Sequence, residues 1–114
     1  MVDTSILEAQ IVSDLSLELN TEDGFNANVL AVKVKLAIRD VISKRNYSAT
    51  SMRDEQIYAD LCNNYYSVIA NVARYDYNQM GAEGESSHSE NGISRTYVDR
   101  DSLFKSVHAF VGII

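Results

Sequence analysis

None of the 114 residues is proline, although about one residue in twenty is average for soluble proteins. Proline interrupts helices because its ring removes a backbone donor and clashes with the preceding turn. Long uninterrupted helices are therefore permitted throughout the chain. A length of 114 residues suffices for one domain with a modest core. We expect a single, mainly α-helical domain spanning residues 1–114.

Apolar residues at helical spacing predict a small bundle of three or four helices. Alternating leucines after Leu15 fit either a first helix continued to Leu19 or an extended linker. The third helix has the longest periodic pattern and a wide apolar face, so it should anchor the domain. We predict helices over residues 5–15, about 20–44 and about 52–79, and a C-terminal helix and tail over about 99–114.

The second predicted helix carries two apolar stripes on nearly opposite sides. One stripe can pack in the core, and the other needs a second cover, such as a neighbouring subunit. We place Val34 and Ile38 at that subunit contact, with the alternative that the helix is buried on both sides within one chain. The members of the two stripes are Phe25, Val29, Val32 and Leu36 on one side, and Leu30, Val34, Ala37, Ile38 and Val41 on the other.

Charge and composition disfavour several classes of function. Ten basic and sixteen acidic residues give a formal net charge of −6, without a basic stripe of the kind that binds phosphates. The single cysteine, Cys62, cannot form an intramolecular disulfide. The first ten residues lack the features of a signal peptide, and no apolar run is long enough to span a membrane. We expect a protein made in the cytoplasm, without membrane or sequence-specific DNA binding.

No residue pattern predicts catalysis, a cofactor or a metal. The run 81–84 superficially resembles a phosphate-binding loop, but no Gly-Lys-Ser/Thr follows it. His88 lies among serines and glutamates, and a zinc site needs more nitrogen or sulfur ligands at fixed spacing. Cys62 falls within an apolar helical row, where a thiol is usually inert. We therefore expect a protein that is not an enzyme.

A β-hairpin arm is predicted over about 81–98, between the long helix and the C-terminal helix. Asn91-Gly92 is a pair that tolerates positive φ at both central positions of a type I′ turn. Residues 93–98 then alternate between two faces, as a strand does. Gly81 is a plausible end for the preceding helix, since glycine enters the left-handed conformation cheaply. Such an arm would offer strand edges to a partner.

The run 75–97 combines YDYN at 75–78, GAEG at 81–84 and SENGISRTY at 89–97. In this combination it resembles the head-tail connector, or adaptor, proteins of tailed bacteriophages. The resemblance implies a dodecameric ring under the portal protein of the virion neck. This ring would extend the DNA channel, let DNA pass unread, and dock a stopper or tail-completion protein. The alternative is a small helical regulatory module that binds a protein partner.

The resemblance also implies which residues bear contacts. They are Gly81, Glu83 and Gly84 in the loop, and Asn91, Gly92, Ile93, Arg95 and Tyr97 in the hairpin. The apolar C-terminus adds three further candidates, because its exposure in a monomer would promote aggregation. These are Phe110, Ile113 and Ile114.

Overall fold

The computed structural model describes residues 2–21, 23–83 and 100–110, with residues 80–83 described as backbone only. Within these ranges the chain is helical and contains no β-strand. The mainly α fold predicted from the sequence is thus confirmed. The four α-helices are α1 (Ser5–Leu19), α2 (Ala27–Arg45), α3 (Asp54–Asn64) and α4 (Tyr66–Glu83). Short 3-10 helices occupy Tyr47–Ala49 and Arg100–Phe104.

Helix α1 is continuous to Leu19, so the first of the two readings of its alternating leucines is correct. Leu7, Ile11, Leu15 and Leu19 are buried and recur every four residues along one face. Leu17 points outward and is 76% exposed. The alternation therefore reflects one core leucine on either side of an exposed one, and not an extended strand or linker.

Helix α2 begins at Ala27, about six residues later than predicted. The side chain of Asn26 accepts hydrogen bonds from the backbone amides of Asn28 (3.0 Å) and Val29 (3.1 Å), which makes it the N-cap. The preceding turn includes Gly24 with φ +81°, a conformation that favours glycine. The backbone amide of Asn26 donates to the hydroxyl of Tyr77 at 2.9 Å, so the helix start is also fixed from α4.

Helices α1, α2 and α4 form a three-helix bundle around one hydrophobic core. The most extensive contacts join α2 to α4 and α1 to α2. Each helix contributes one buried row, and these rows meet in a single cluster. The largest fully buried side chains are Leu7, Ile11, Leu30, Val34, Ile38, Val41, Leu61, Ile69 and Val72.

The single helix predicted over 52–79 is two helices, α3 and α4, separated at Tyr65. Tyr65 has φ −125° and ψ 9°, outside the helical range, and its ring is buried. Asn63 and Asn64, both poor helix formers, precede the break. An unbroken helix of this length would extend roughly 40 Å at 1.5 Å per residue, which is longer than α1. After the break, α3 lies beside the start of α1 and the end of α2.

Three predictions for the C-terminal third are corrected or fall outside the described residues. Helix α4 continues through Gly81 to Glu83, because one glycine costs a helix only about 1 kcal/mol. The β-hairpin arm is not supported, since the described residues contain no strand and 84–99 lie outside them. The predicted C-terminal helix is a five-residue 3-10 helix, Arg100–Phe104, followed by residues without regular structure to 110.

The segment 100–110 packs against α2 and α4. The guanidinium of Arg100 donates hydrogen bonds to both carboxylate oxygens of Asp76 at 2.8 Å and to one carboxylate oxygen of Asp40 at 2.7 Å. Phe104 is buried beneath the ammonium of Lys44, which lies 4.8 Å from the ring centroid. These contacts hold the segment on the bundle after the part of the chain that is not described.

Candidate interaction surface

Val34 and Ile38 lie in the core of the chain and not on its surface. Both side chains are essentially inaccessible to solvent. They belong to the row of α2 that meets α1 and α4. The prediction that they contact a neighbouring subunit is therefore wrong, because the chain itself covers them.

The opposite side of α2 is the side left uncovered. Val32 is 54% exposed and Leu36 is 44% exposed, while Val29 is half-buried. Phe25, the fourth member of this row in the sequence, turns toward Tyr77 and packs at 5.9 Å between ring centroids. We call Val29, Val32 and Leu36 the outer stripe. The sequence pattern correctly identified two apolar faces of α2 but assigned the wrong one to the core.

Helix α2 is basic in an otherwise acidic chain. It holds five of the ten basic residues and one of the sixteen acidic ones. The helix thus carries a formal charge of +4 and the rest of the chain −10. Lys35 and Arg39 are exposed beside the outer stripe, and within the described ranges neither has an ion-pair partner. The outer stripe is therefore an apolar row with two cations on one side, and these cations also line a pocket of about 320 Å³ with Asp3 and Glu8 of the same chain.

A second surface of opposite charge lies where the start of α1 meets the start of α3. This acidic cleft has a volume of about 310 Å³. Ile6 is 67% exposed at its edge, and Tyr58 of α3 is half-buried there. Its lining comprises Val2, Asp3, Ser5, Ile6, Asp54, Glu55 and Tyr58. Sequence reasoning missed this cleft, and its one local signal was the acidic first turn of α3.

The position of α3 is fixed by Arg45, the last residue of α2. Its side chain and that of Asp60 are each 11% exposed and form an ion pair, with 3.1 Å between Nη2 and Oδ2. The guanidinium lies 5.0 Å from the ring centroid of Tyr65 and 4.0 Å from that of Phe110. The same Asp60 accepts hydrogen bonds from Tyr47 and Asn64. We call these residues the Arg45 cluster.

Phe110 belongs to this cluster and is not a free apolar tail. Its backbone amide donates to the carbonyl of Arg45 at 2.8 Å, and its carbonyl accepts from the side chain of Asn46 at 3.2 Å. Its ring packs against Tyr47 at 5.8 Å. Phe110 is half-buried by its own chain, and its role in a partner contact stays a prediction.

The remaining predicted contact residues fall largely outside the described part. Gly81 and Glu83 are in the last turn of α4, where only the backbone is described. Gly84, the hairpin residues and the two terminal isoleucines are not described. Those positions are Gly84, Asn91, Gly92, Ile93, Arg95, Tyr97, Ile113 and Ile114.

The contribution of the Arg45 cluster to folding stability depends on pH through the protonation of Asp60. Burial raises the pKa of this carboxyl, but hydrogen bonds from Tyr47 and Asn64 and the charge of Arg45 outweigh burial and hold the pKa below its ordinary value of 3.8. Because the pKa of Asp60 is lower in the folded state than in the unfolded state, its ionised form stabilises the fold at pH values above the unfolded-state pKa. That contribution disappears as the pH falls through the folded-state pKa.

We therefore expect the free energy of unfolding to fall between about pH 5 and pH 2, partly through Asp60. In Asp60→Asn the fall should be smaller, because the amide does not titrate. Urea denaturation at several pH values would measure both proteins. Parallel pH profiles for the wild type and the variant would contradict the assignment.

The comparisons with known proteins assign the chain to no family. No family model, curated protein or solved structure matches the chain. Among the described residues, no group of three or more His, Cys, Asp or Glu side chains is placed to hold a metal ion. In the same part of the chain, no helix is long and apolar enough to cross a bilayer.

Proposed function

We propose that this chain is a structural subunit of a bacteriophage neck, a head-tail connector that forms a ring beneath the portal protein. The ring extends the DNA channel and docks a stopper or tail-completion protein. Support comes from the resemblance of residues 75–97 to that family and from a small helical body of the expected kind. Its place would be the virion neck, after synthesis in the host cytoplasm.

The observation that carries the proposal is the outer stripe on α2. The reverse side of the same helix forms the core, and among the described residues Val32 and Leu36 stay exposed while Val29 packs partly against that core. Burying a valine or leucine side chain contributes roughly 1.5–3 kcal/mol. A row of such residues on an ordered helix suits a contact that forms when subunits assemble.

The charge of the chain fits a conduit for DNA. A net charge of −6 repels phosphates, so a duplex moving through a ring of such subunits would not adhere to it. Binding that reads the DNA sequence would instead need clustered cations facing the groove. Lys35 and Arg39 of α2 lie beside the outer stripe, where a protein contact would use them.

Counting copies on a portal tests the proposal. The purified chain would be mixed with the portal protein of the phage or prophage that encodes it, and native mass spectrometry or electron microscopy would count the bound copies. We expect a closed, dodecameric ring on the portal. A single copy bound to its partner would instead indicate the regulatory protein-binding module, and no complex would contradict a connector.

Two leucine variants make this experiment specific to the outer stripe. Leu36→Asp should abolish ring formation, because it places a carboxylate in the proposed contact. Leu17→Asp removes a leucine that is even more exposed, but on α1. It should assemble like the wild type. Equal assembly of both variants would exclude the outer stripe as the contact.

A further inference from the structure

We infer that the outer stripe of each copy docks against the acidic cleft of the next copy in the ring. This inference rests on the proposed ring and adds which two surfaces meet. The occupant of the cleft is thus a second copy of this chain. The argument combines apolar surface on both sides with opposite charge at their borders.

The α2 side of this contact presents two aliphatic side chains and two cations. Val32 and Leu36 lie one turn apart on the exposed side of the helix. Lys35 follows Val32 by three residues, and Arg39 follows Leu36 by three, so each cation neighbours one aliphatic side chain. Apolar contact would supply affinity, and the cations would select an acidic partner surface.

The cleft side has the complementary properties. Val2, Ile6 and Tyr58 provide apolar surface, and the carboxylates of Asp3, Asp54 and Glu55 surround it. Glu55 is strongly exposed and forms an ion pair at 3.5 Å with an equally exposed Arg53. Such surface pairs contribute little. Glu55 can therefore exchange this partner for a cation of the neighbouring copy at little cost.

The two surfaces belong to different elements, so their contact can repeat from one copy to the next. One is made by α2 and the other by residues 2–6 and the start of α3. Where each copy docks onto a different neighbour, the contact is heterologous, repeats head to tail, and produces a ring when the rotation closes, whereas two copies that exchanged the contact reciprocally would stop at a two-fold dimer. A symmetric contact between two outer stripes would instead bring Lys35 and Arg39 of both copies together, with repulsion between like charges.

Cysteine cross-linking tests which surfaces meet. In a Cys62→Ala background, one chain carries Ile6→Cys and another carries Leu36→Cys. A short bismaleimide should join the two chains when they are mixed on the portal, and should produce far less product with either chain alone. Predominant cross-links between two Leu36→Cys chains would overturn the inference.

Charge reversal gives a second test that does not depend on cysteine chemistry. Arg39→Glu and Glu55→Lys alter exposed side chains, and each alone should weaken association about tenfold, which corresponds to about 1.4 kcal/mol. A chain with both changes should recover association, because the reversed charges again face each other. Additive weakening in the double variant would overturn the inference.

The proposed ring and the assignment of its two contact surfaces can be contradicted separately. If copies assemble on the portal but Ile6→Cys and Leu36→Cys chains do not cross-link, the proposed ring is supported and the assignment of the two surfaces is wrong. If no multi-copy complex forms with the wild type, both are wrong. The Cys62→Ala chain without added cysteines controls for any effect of the background on ring formation.

Discussion

Ile38→Asp is expected to unfold the protein, whereas Leu36→Asp, two positions earlier on the same helix, should leave it folded. Ile38 is fully buried among apolar side chains, so its replacement would bury an unpaired carboxylate and leave a cavity. The cost should be about 4 kcal/mol or more, against a total stability of roughly 5–15 kcal/mol for a domain. Leu36 is 44% exposed, and a charge there remains in water.

Circular dichroism and urea denaturation would measure this difference. Ile38→Val is the control for the site, because it removes one methyl group without adding charge and should cost roughly 0.5–1.5 kcal/mol. Equal stability of the two aspartate variants would mean that the core side of α2 has been assigned wrongly. The outer stripe would then lose its role in the proposed contact.

Arg45→Met is expected to lower the free energy of unfolding by about 1.5–3 kcal/mol. Methionine keeps an apolar stem against the rings of Tyr65 and Phe110 but leaves the carboxylate of Asp60, whose side chain is only 11% exposed, without its cation. The variant also loses the hydrogen bond from the guanidinium to the carbonyl of His108. Urea or thermal denaturation would give the change in stability.

An exposed arginine and a double variant act as controls for Arg45. Arg53→Met removes a solvent-exposed pair with Glu55 and should change stability by less than about 1 kcal/mol. Arg45→Met with Asp60→Asn should be more stable than Arg45→Met alone, because no unpaired charge remains. A double variant as unstable as the sum of the two single variants would show that the ion pair is not the cause.

The two-sided pattern of α2 shows what periodicity can and cannot predict. The spacing of apolar residues identified the helix and both of its rows. Which row faces inward depends on α1 and α4, whose contacts with α2 form between segments distant in the chain. Val32 and Leu36 are as apolar as Val34 and Ile38, so composition could not rank the rows. Burial in the folded chain decides between them.

The boundaries of the helices were predicted wrongly for a related reason. The start of α2 is set by the side-chain cap of Asn26 and by the hydroxyl of Tyr77, which lies 51 residues away. The break at Tyr65 places Asp60 against Arg45, a pairing that no local pattern indicates. Tertiary contacts of this kind override weak local preferences for helix start and end.

The acidic cleft lay beyond prediction from the sequence. Residues 2–6 and 54–58 lie far apart in the chain and line one cleft only in the folded protein. Each segment alone shows ordinary acidic residues near a helix start, a common arrangement that favours the helix dipole. Their combination into one surface required the fold.

The ion pair between Arg45 and Asp60 fastens α3, and with it one wall of the acidic cleft, to the helix that bears the outer stripe. If those two surfaces join successive subunits, the angle between them is the rotation from one copy to the next. The circumference of the closed particle, and so the number of copies in it, would then depend in part on this one salt bridge. Loosening that bridge would broaden the distribution of ring sizes before it prevented assembly.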